Sequence, residues 1–260
     1  MTGNQIPTRS GIVVLATFNE ANSIQPVLAE ISEAREVLKR SLITLSVLLV
    51  DDSSPDGTAE IAQTAADQLA LPLTVLAGRS AGLGAAVFQG MEFALGQDPS
   101  LIITLDADGQ HDARQIPDLV RANLARSSGV TIGSRWARGG SSPGTSRSRT
   151  ALSLLGNFLV RHVAGLDGIR DATTSFRVIR PEVVTALLSS EIPTDGYSFF
   201  SAFIVLSQAA GFTIDEVPIT FRPRYSGVSK LTRNDGVKFL KDLLVVRRMA
   251  KRKRQSSQRD

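Results

Sequence analysis

The segment Asp106-Ala107-Asp108-Gly109-Gln110-His111 directly follows the apolar run Leu101 to Leu105. Two carboxylates one residue apart at the end of such a run are hard oxygen ligands. They suit Mg²⁺ or Mn²⁺ bridging a diphosphate, and Gln110 could add a third oxygen. The same aspartates could instead cap a helix that starts near Ala113. A second acidic pair, Asp51-Asp52, closes another apolar run and favours the metal-diphosphate reading. After it, Ser53-Ser54-Pro55-Asp56-Gly57-Thr58 reads as a turn into a helix, capped by Asp56 or Thr58. Such a turn fixes where Asp52 points, which lets Asp52 reach a nucleotide base or ribose. Gly82-x-Gly84 near a helix start resembles a phosphate cradle, but it lacks the lysine of a P-loop and the full dinucleotide fingerprint. A tight strand-to-helix turn is the other role open to it.

The elements that must position these residues are legible as alternating periods. Ile12 to Ala16, Thr44 to Val50, Leu73 to Leu76, Leu101 to Leu105 and Val130 to Ile132 have the length and content of buried strands. Between them Asn22 to Leu38, Thr58 to Leu69, Gly84 to Leu95 and Ala113 to Leu124 repeat apolar residues at helical spacing, with Asn22 or Ser23 available to cap the first. This alternation predicts an α/β fold, a doubly wound, mostly parallel sheet whose ligands bind beyond the carboxyl ends of the strands. Every motif above falls on that rim. Further on, Gly139 to Ser146 reads as a flexible loop that could act as a lid. Arg149 to Val163, Pro181 to Leu188, Tyr197 to Ala210 and Lys238 to Lys251 read as helices, with Phe176 to Ile179 and Phe212 to Phe221 as strands. The expected organisation is a polar arm over 1–10, one catalytic domain over 11–240 and a basic amphipathic tail over 241–260.

Composition narrows the chemistry. With 260 residues and 42% apolar side chains the chain can bury one sizeable core. The absence of cysteine excludes disulfides, thiolate zinc sites and a cysteine nucleophile; only His111 and His162 supply imidazoles. The first ten residues hold no apolar core of a signal peptide, and no apolar run approaches the roughly 20 residues of a membrane span, so a cytoplasmic protein is expected. Charge is uneven. Between Arg222 and Asp260 thirteen Lys/Arg face three acids, a net of +10, while the other residues carry a net of −6. A tail of this kind could meet nucleic acid or an anionic membrane, or simply be solvated.

The order Thr17-Phe18-Asn19-Glu20, Val50-Asp51-Asp52-Ser53-Ser54-Pro55-Asp56-Gly57-Thr58, Gly82-Leu83-Gly84-Ala85-Ala86, Asp106 to His111 and Gly133-Ser134-Arg135 resembles the family 2 inverting glycosyltransferases. Within them it is most similar to polyprenol-phosphate (dolichol-phosphate) mannose synthases, from about Ile12 to Leu240. Asp171 with Ser175-Phe176-Arg177, Asp195-Gly196-Tyr197 and Arg224-x-x-Gly227-x-Ser229-Lys230 extend the resemblance. It implies a nucleotide-sugar transferase fold of the GT-A type. It also implies that Ala16, Phe18, Glu20, Val50 and Asp52 contact the nucleotide of GDP-mannose. Asp106, Asp108 and Gln110 would hold Mg²⁺ or Mn²⁺ on its diphosphate, with Ala107 nearby. Arg135, Arg224 and Lys230 would bind phosphates of donor or acceptor, and Arg147 or Arg149 could join the acceptor side. The chain departs from the family in having Ala16 for proline, Phe18 for tyrosine, and Phe200 and Ala202 for glutamine and an acid.

The implied reaction is in-line attack by a polyprenyl phosphate on the anomeric carbon, with GDP leaving and the configuration inverting. A lipid phosphate needs positioning by Arg224 and Lys230 rather than deprotonation, since its second pKa lies near roughly 6. Arg247, Arg248, Lys251, Arg252, Lys253 and Arg254, preceded by Leu243, Leu244, Val245 and Val246, would hold the protein on the cytoplasmic face of an anionic membrane. The alternative is a family 2 enzyme using another sugar nucleotide and a protein or glycan hydroxyl, with Asp195 as candidate base. A nucleic-acid-binding role is disfavoured, because the stacking aromatics of common RNA modules are missing.

Overall fold

Strands and helices alternate through the first half of the chain as their apolar periods require. The computed structural model describes residues 8–190, 192–193, 198–225 and 233–256. Seven strands form one sheet: β1 (Arg9–Thr17), β2 (Ile43–Asp51), β3 (Leu73–Ala77), β4 (Leu101–Thr104), β5 (Val130–Ser134), β6 (Arg177–Ile179) and β7 (Ile214–Pro218). Their order is β3-β2-β1-β4-β6-β5-β7, parallel except for β6, which runs antiparallel between β4 and β5. The mostly parallel, doubly wound expectation therefore holds.

Side chains along β1 alternate between two cores. Val13 and Leu15 face α1 (Ile24–Lys39), α2 (Thr58–Gln68) and α4 (Ile116–Arg126). Ile12 and Val14 face α3 (Leu83–Leu95), α6 (Pro181–Leu187), α7 (Ser198–Ala209) and α8 (Arg233–Ser256). α5 (Arg147–Leu159) continues into a π turn over Val160–Ala164, against which α8 packs. A Cβ on Gly90 would lie 2.4 Å from Val14 Cγ1, so glycine lets α3 cross close over the sheet.

Several boundaries shift. β1 begins at Arg9, so the end of the expected polar arm pairs with Ile43 and Thr44. The strand expected over Phe212 to Phe221 stops at Pro218, where Thr220 and Phe221 make isolated bridges to Ser141 and His111. The same bridge pins the proposed lid loop, since Ser141 N–H donates to Ile219 O and Phe221 N–H to Ser141 O. α8 runs unbroken through the boundary expected at residue 240, and Leu243, Val246 and Ala250 are buried core residues rather than surface anchors. Leu244 and Val245 are exposed. Lys253 Nζ and Arg254 Nη2 donate to the carbonyls of Ala186 and Gly165, which ties the end of the helix to the body. Among the described residues, no helix is long and apolar enough to cross a membrane.

Candidate active site

The carboxyl ends of β1 and β2 are stitched together by short polar side chains. Asp51, buried, accepts from Thr17 Oγ1 at 2.9 Å and from Ser54 Oγ and N at 2.6 and 2.8 Å, so it shapes the turn. Asn19 N–H donates to Ser54 Oγ, Glu20 N–H to Thr58 Oγ1 and Ala21 N–H to Asp56 Oδ2. Asp56 also accepts from Thr58 N–H and Oγ1, supplying the cap that left-handed Gly57 cannot. Burial would raise the Asp56 pKa; its hydrogen bonds from Thr58 and Ala21 outweigh that and hold it below the usual range. Asp52 is thereby turned toward β3, where its Oδ1 accepts from Ser80 N–H at 3.1 Å. A Cβ on Gly78 would fall 1.9 Å from that oxygen, so only glycine leaves room for the carboxylate.

Phe18, 46% exposed, offers its ring on this rim, and Glu20 Oε2 accepts from Ser23 Oγ. Ala16 is half-buried opposite Val50. The Val50 side chain is fully buried in the core, which leaves the backbone of Val50 for any contact with a nucleotide. Gly82 has φ +91° at the start of α3, which fits the tight-turn role for Gly82-x-Gly84.

Beyond β4 the alternative capping role for Asp106 and Asp108 disappears. Asp112 occupies the N-cap position and accepts from Arg114 N–H, while Glu30 Oε2 takes the N–H of Ala113. The other two carboxylates are left for the site. Asp108 Oδ1 accepts from Gln110 N–H at 3.0 Å, and Ala107 is buried beneath the loop. Burial drives both carboxyls above their usual pKa; at Asp108 the neighbouring Asp106 charge adds to it. A hydrogen bond from Ser175 at Asp106, the N–H of Gln110 at Asp108 and the charge of Arg224 at both oppose it. A bound cation would relieve this mutual repulsion. Among the described residues no three His, Cys, Asp or Glu side chains group around one point, so the protein's third donor would be Gln110. That is a donor set suited to Mg²⁺ or Mn²⁺ completed by water and diphosphate.

His111 holds this loop from below. Its buried ring lies 5.4 Å from that of Phe176 and 5.1 Å from that of Phe221, and burial pushes its pKa down to about 4. The neutral imidazole receives Asp106 N–H at Nδ1, which leaves Nε2–H to donate to Thr174 Oγ1 at 3.1 Å. His111 is a structural support rather than a base.

A strap over residues 221–225 crosses the same loop. Arg222 N–H donates to Gln110 O, Tyr225 N–H to Asp108 O, and the Tyr225 ring fills the space that a side chain at Gly109 would need. Arg222 forks onto buried Glu30 with two 2.8 Å bonds, and Tyr225 Oη donates to Glu30 Oε1 at 2.7 Å. Sequence reasoning missed Glu30. Its signal was an acid on the buried face of α1, beside Val27, Leu28 and Ile31.

A cavity of about 690 Å³ opens in front of these loops. Asp106, Gln110, Arg135 and Arg224 lie on its polar side; Leu83, Trp136, Leu152, Phe200 and Phe239 supply apolar wall. Arg149 lines it, whereas Arg147 does not. Arg135 is less available than expected: Nε and Nη2 form a fork onto buried Asp171 at 2.8 and 2.7 Å, and Nη2 also reaches Thr173 Oγ1. The Nη1 edge is not engaged by these bonds. Burial would raise the Asp171 pKa, but the bonds and charge of Arg135 hold it below the usual carboxylate range. Arg177, fully buried, donates to the carbonyls of Ala172 and Phe200. Burial pushes its pKa down to about 9, against the pull of Asp171 and Asp106. Lys230, Gly227, Ser229 and Asp195 lie outside the described residues.

A mostly parallel sheet with paired aspartates, a carboxylate-bearing turn and arginines on one rim is the arrangement a nucleotide-sugar transferase needs. The family model described as "Glycosyl transferase family 2" matches residues 12–188, and the chain belongs to that family. It is 33% identical over 231 residues to a polyprenol monophosphomannose synthase of Mycolicibacterium smegmatis, covering 87% of this chain and 82% of that protein. To an undecaprenyl-phosphate mannosyltransferase of Micrococcus luteus it is 32% identical over 221 residues, 85% of this chain and 87% of the other. A mannosyltransferase of Pyrobaculum calidifontis, solved with GDP-Man and Mn²⁺, shares the fold with TM-score 0.59 at 19% identity. The match covers 91% of this chain and 62% of that one.

Proposed function

We propose that this glycosyltransferase moves mannose from GDP-mannose to a polyprenyl monophosphate with inversion, using Mg²⁺ or Mn²⁺ held by Asp106, Asp108 and Gln110. The observation that carries the reading is the cavity, which sets the Asp106 carboxylate, Gln110, Arg135, Arg149 and Arg224 against an apolar wall of Leu152, Phe200 and Phe239. A lipid phosphate matches both halves. The names of the two curated relatives and the GDP-Man and Mn²⁺ of the solved mannosyltransferase support the same substrates.

The cation, when bound, neutralises charge on the leaving diphosphate. The chain's own residues do the rest. Phe18 offers a face for the base, and Asp52, aimed by Gly78 and Ser80, offers a carboxylate to base or ribose. Arg224 and Lys230 take the acceptor phosphate, and Arg135, whose Nη1 is not used by its bonds to Asp171 and Thr173, binds phosphate of donor or acceptor. An acceptor phosphate that is already largely dianionic needs no general base. Neutral His111, bonded at both nitrogens, only holds the loop.

The protein would work on the cytoplasmic face of a membrane as a peripheral enzyme. Leu152, Leu155 and Phe158 on α5 and Leu240 and Leu244 on α8 are all exposed, and Arg247, Arg248, Lys251 and Arg252 stand exposed further along α8. Apolar insertion with basic charge is the pair of signals that stable peripheral binding needs. The test is to incubate the protein with Mg²⁺ or Mn²⁺, a panel of sugar nucleotides and polyprenyl phosphate, and identify products by mass. Mannosyl-phosphoryl-polyprenol from GDP-mannose supports the reading. Transfer only to a hydroxyl acceptor contradicts it.

A further inference from the structure

Arg224 does not point idly into the cavity. Its Nε donates to Gln110 Oε1 at 2.9 Å and lies 3.3 Å from Asp108 Oδ2. Those are two of the three side chains assigned above to the divalent cation. A cation bound at the roughly 2.1 Å of a Mg–O bond would take the lone pairs that now face the guanidinium, and the two positive charges would repel. Both cannot hold Asp108 and Gln110 together.

The backbone at Arg224 is fixed on each side. Arg222 is forked onto Glu30, Tyr225 is bonded to Glu30 and to Asp108 O, and its ring is packed on Gly109. The moving part is therefore the side chain, which can swing from the carboxylate loop into the cavity it already lines.

Resting on the functional reading above, we infer that Arg224 is a built-in occupant of the cation site, displaced when Mg²⁺ or Mn²⁺ arrives and thereby released to grip the acceptor phosphate. The metal-free protein keeps its acceptor arginine neutralised by its own metal ligands. Cation and acceptor phosphate then bind with positive coupling, each raising the affinity of the other by the same factor. The cation binds more weakly than its ligands alone would allow, by the fraction of molecules in which Arg224 has already left.

The test is Mn²⁺ binding to the full chain without nucleotide, read by the electron paramagnetic resonance of free Mn²⁺. Arg224→Gln should bind Mn²⁺ roughly three- to tenfold more tightly than wild type, as expected if the blocked arrangement holds about 70–90% of molecules. Asp108→Asn should bind far more weakly. Arg149→Gln removes the same charge from the same cavity and should leave Mn²⁺ affinity at the wild-type value. Farnesyl phosphate binding by calorimetry should tighten with Mn²⁺ in wild type and not in Arg224→Gln. Weak binding by Asp108→Asn without tightening in Arg224→Gln would overturn the displacement and leave the cation site standing. Equal tightening in Arg149→Gln would also overturn it, because a general field would then explain the gain. Wild-type Mn²⁺ affinity in Asp108→Asn would overturn the cation site itself.

Discussion

Replacing Glu30 by glutamine should impair the enzyme although Glu30 sits on α1, away from the cavity lining. The carboxylate accepts two 2.8 Å bonds from Arg222, one from Tyr225 Oη and one from Ala113 N–H. Glutamine keeps the volume but turns one acceptor into an NH₂ that faces the Arg222 donors. At least one charge-assisted bond is lost, worth roughly 1.5–3 kcal/mol, and the buried charge pair goes with it. The Arg222 side chain is 20% exposed against 9% for Glu30, so Arg222 recovers some hydration and the expected loss of stability is about 2 kcal/mol. The strap fixes the backbone of Arg224, so kcat/KM for the acceptor should fall about tenfold through misplacement. Urea unfolding measures the first effect, and steady-state kinetics with polyprenyl phosphate varied at saturating donor measures the second. Glu33→Gln, an exposed acid on the same helix, serves as control and should change neither. Glu30→Gln with wild-type stability and acceptor kinetics would refute the clamp.

Asp108→Ala should abolish turnover while urea unfolding stays cooperative, and wild-type protein should lose activity in excess chelator; full activity in chelator would exclude the metal site. Changing Arg247, Arg248, Lys251 and Arg252 together to glutamine should weaken sedimentation with anionic vesicles by about 1 kcal/mol per charge at low salt, with turnover of a detergent-solubilised short-chain acceptor little changed. Equal vesicle binding would count against the basic face of α8. Asp171→Asn should lower stability at neutral pH by removing the partner of Arg135. Because the Asp171 carboxyl is held below its unfolded value, its contribution is complete above about pH 4 and disappears as pH falls through the folded pKa. The variant should therefore lose less stability than wild type on acidification, and parallel pH profiles would contradict this.

What the sequence revealed and concealed follows from the range of each interaction. Strands such as Thr44 to Val50 and helices such as Thr58 to Leu69 were readable because their periods are local, and they recur within a residue or two as β2 and α2. Asp106, Asp108 and Gln110 were readable because their spacing sits on one loop. The direction of β6 was not, since three residues carry no sign of which way they pair. Nothing local to Arg135 shows that the fold brings Asp171, thirty-six positions away, onto its fork. Glu30 and Arg222 are 192 positions apart, and neither type nor local spacing announces their bond. Val50 matched a family motif, yet in strand alternation its side chain belongs to the core. Lys253 and Arg254 looked like free surface charge until the carbonyls of Ala186 and Gly165 came within reach.

Inverting transfer to a lipid phosphate leaves its signature in the product, which NMR reads from the purified material made from GDP-mannose and polyprenyl phosphate. ³¹P spectra should show a phosphodiester, and the one-bond carbon–proton coupling at the anomeric centre should show a β-mannosyl linkage, inverted from the α-linked donor. An α-linked product, or mannose attached to a hydroxyl with the lipid phosphate left as a monoester, would rule out inverting transfer to the lipid phosphate.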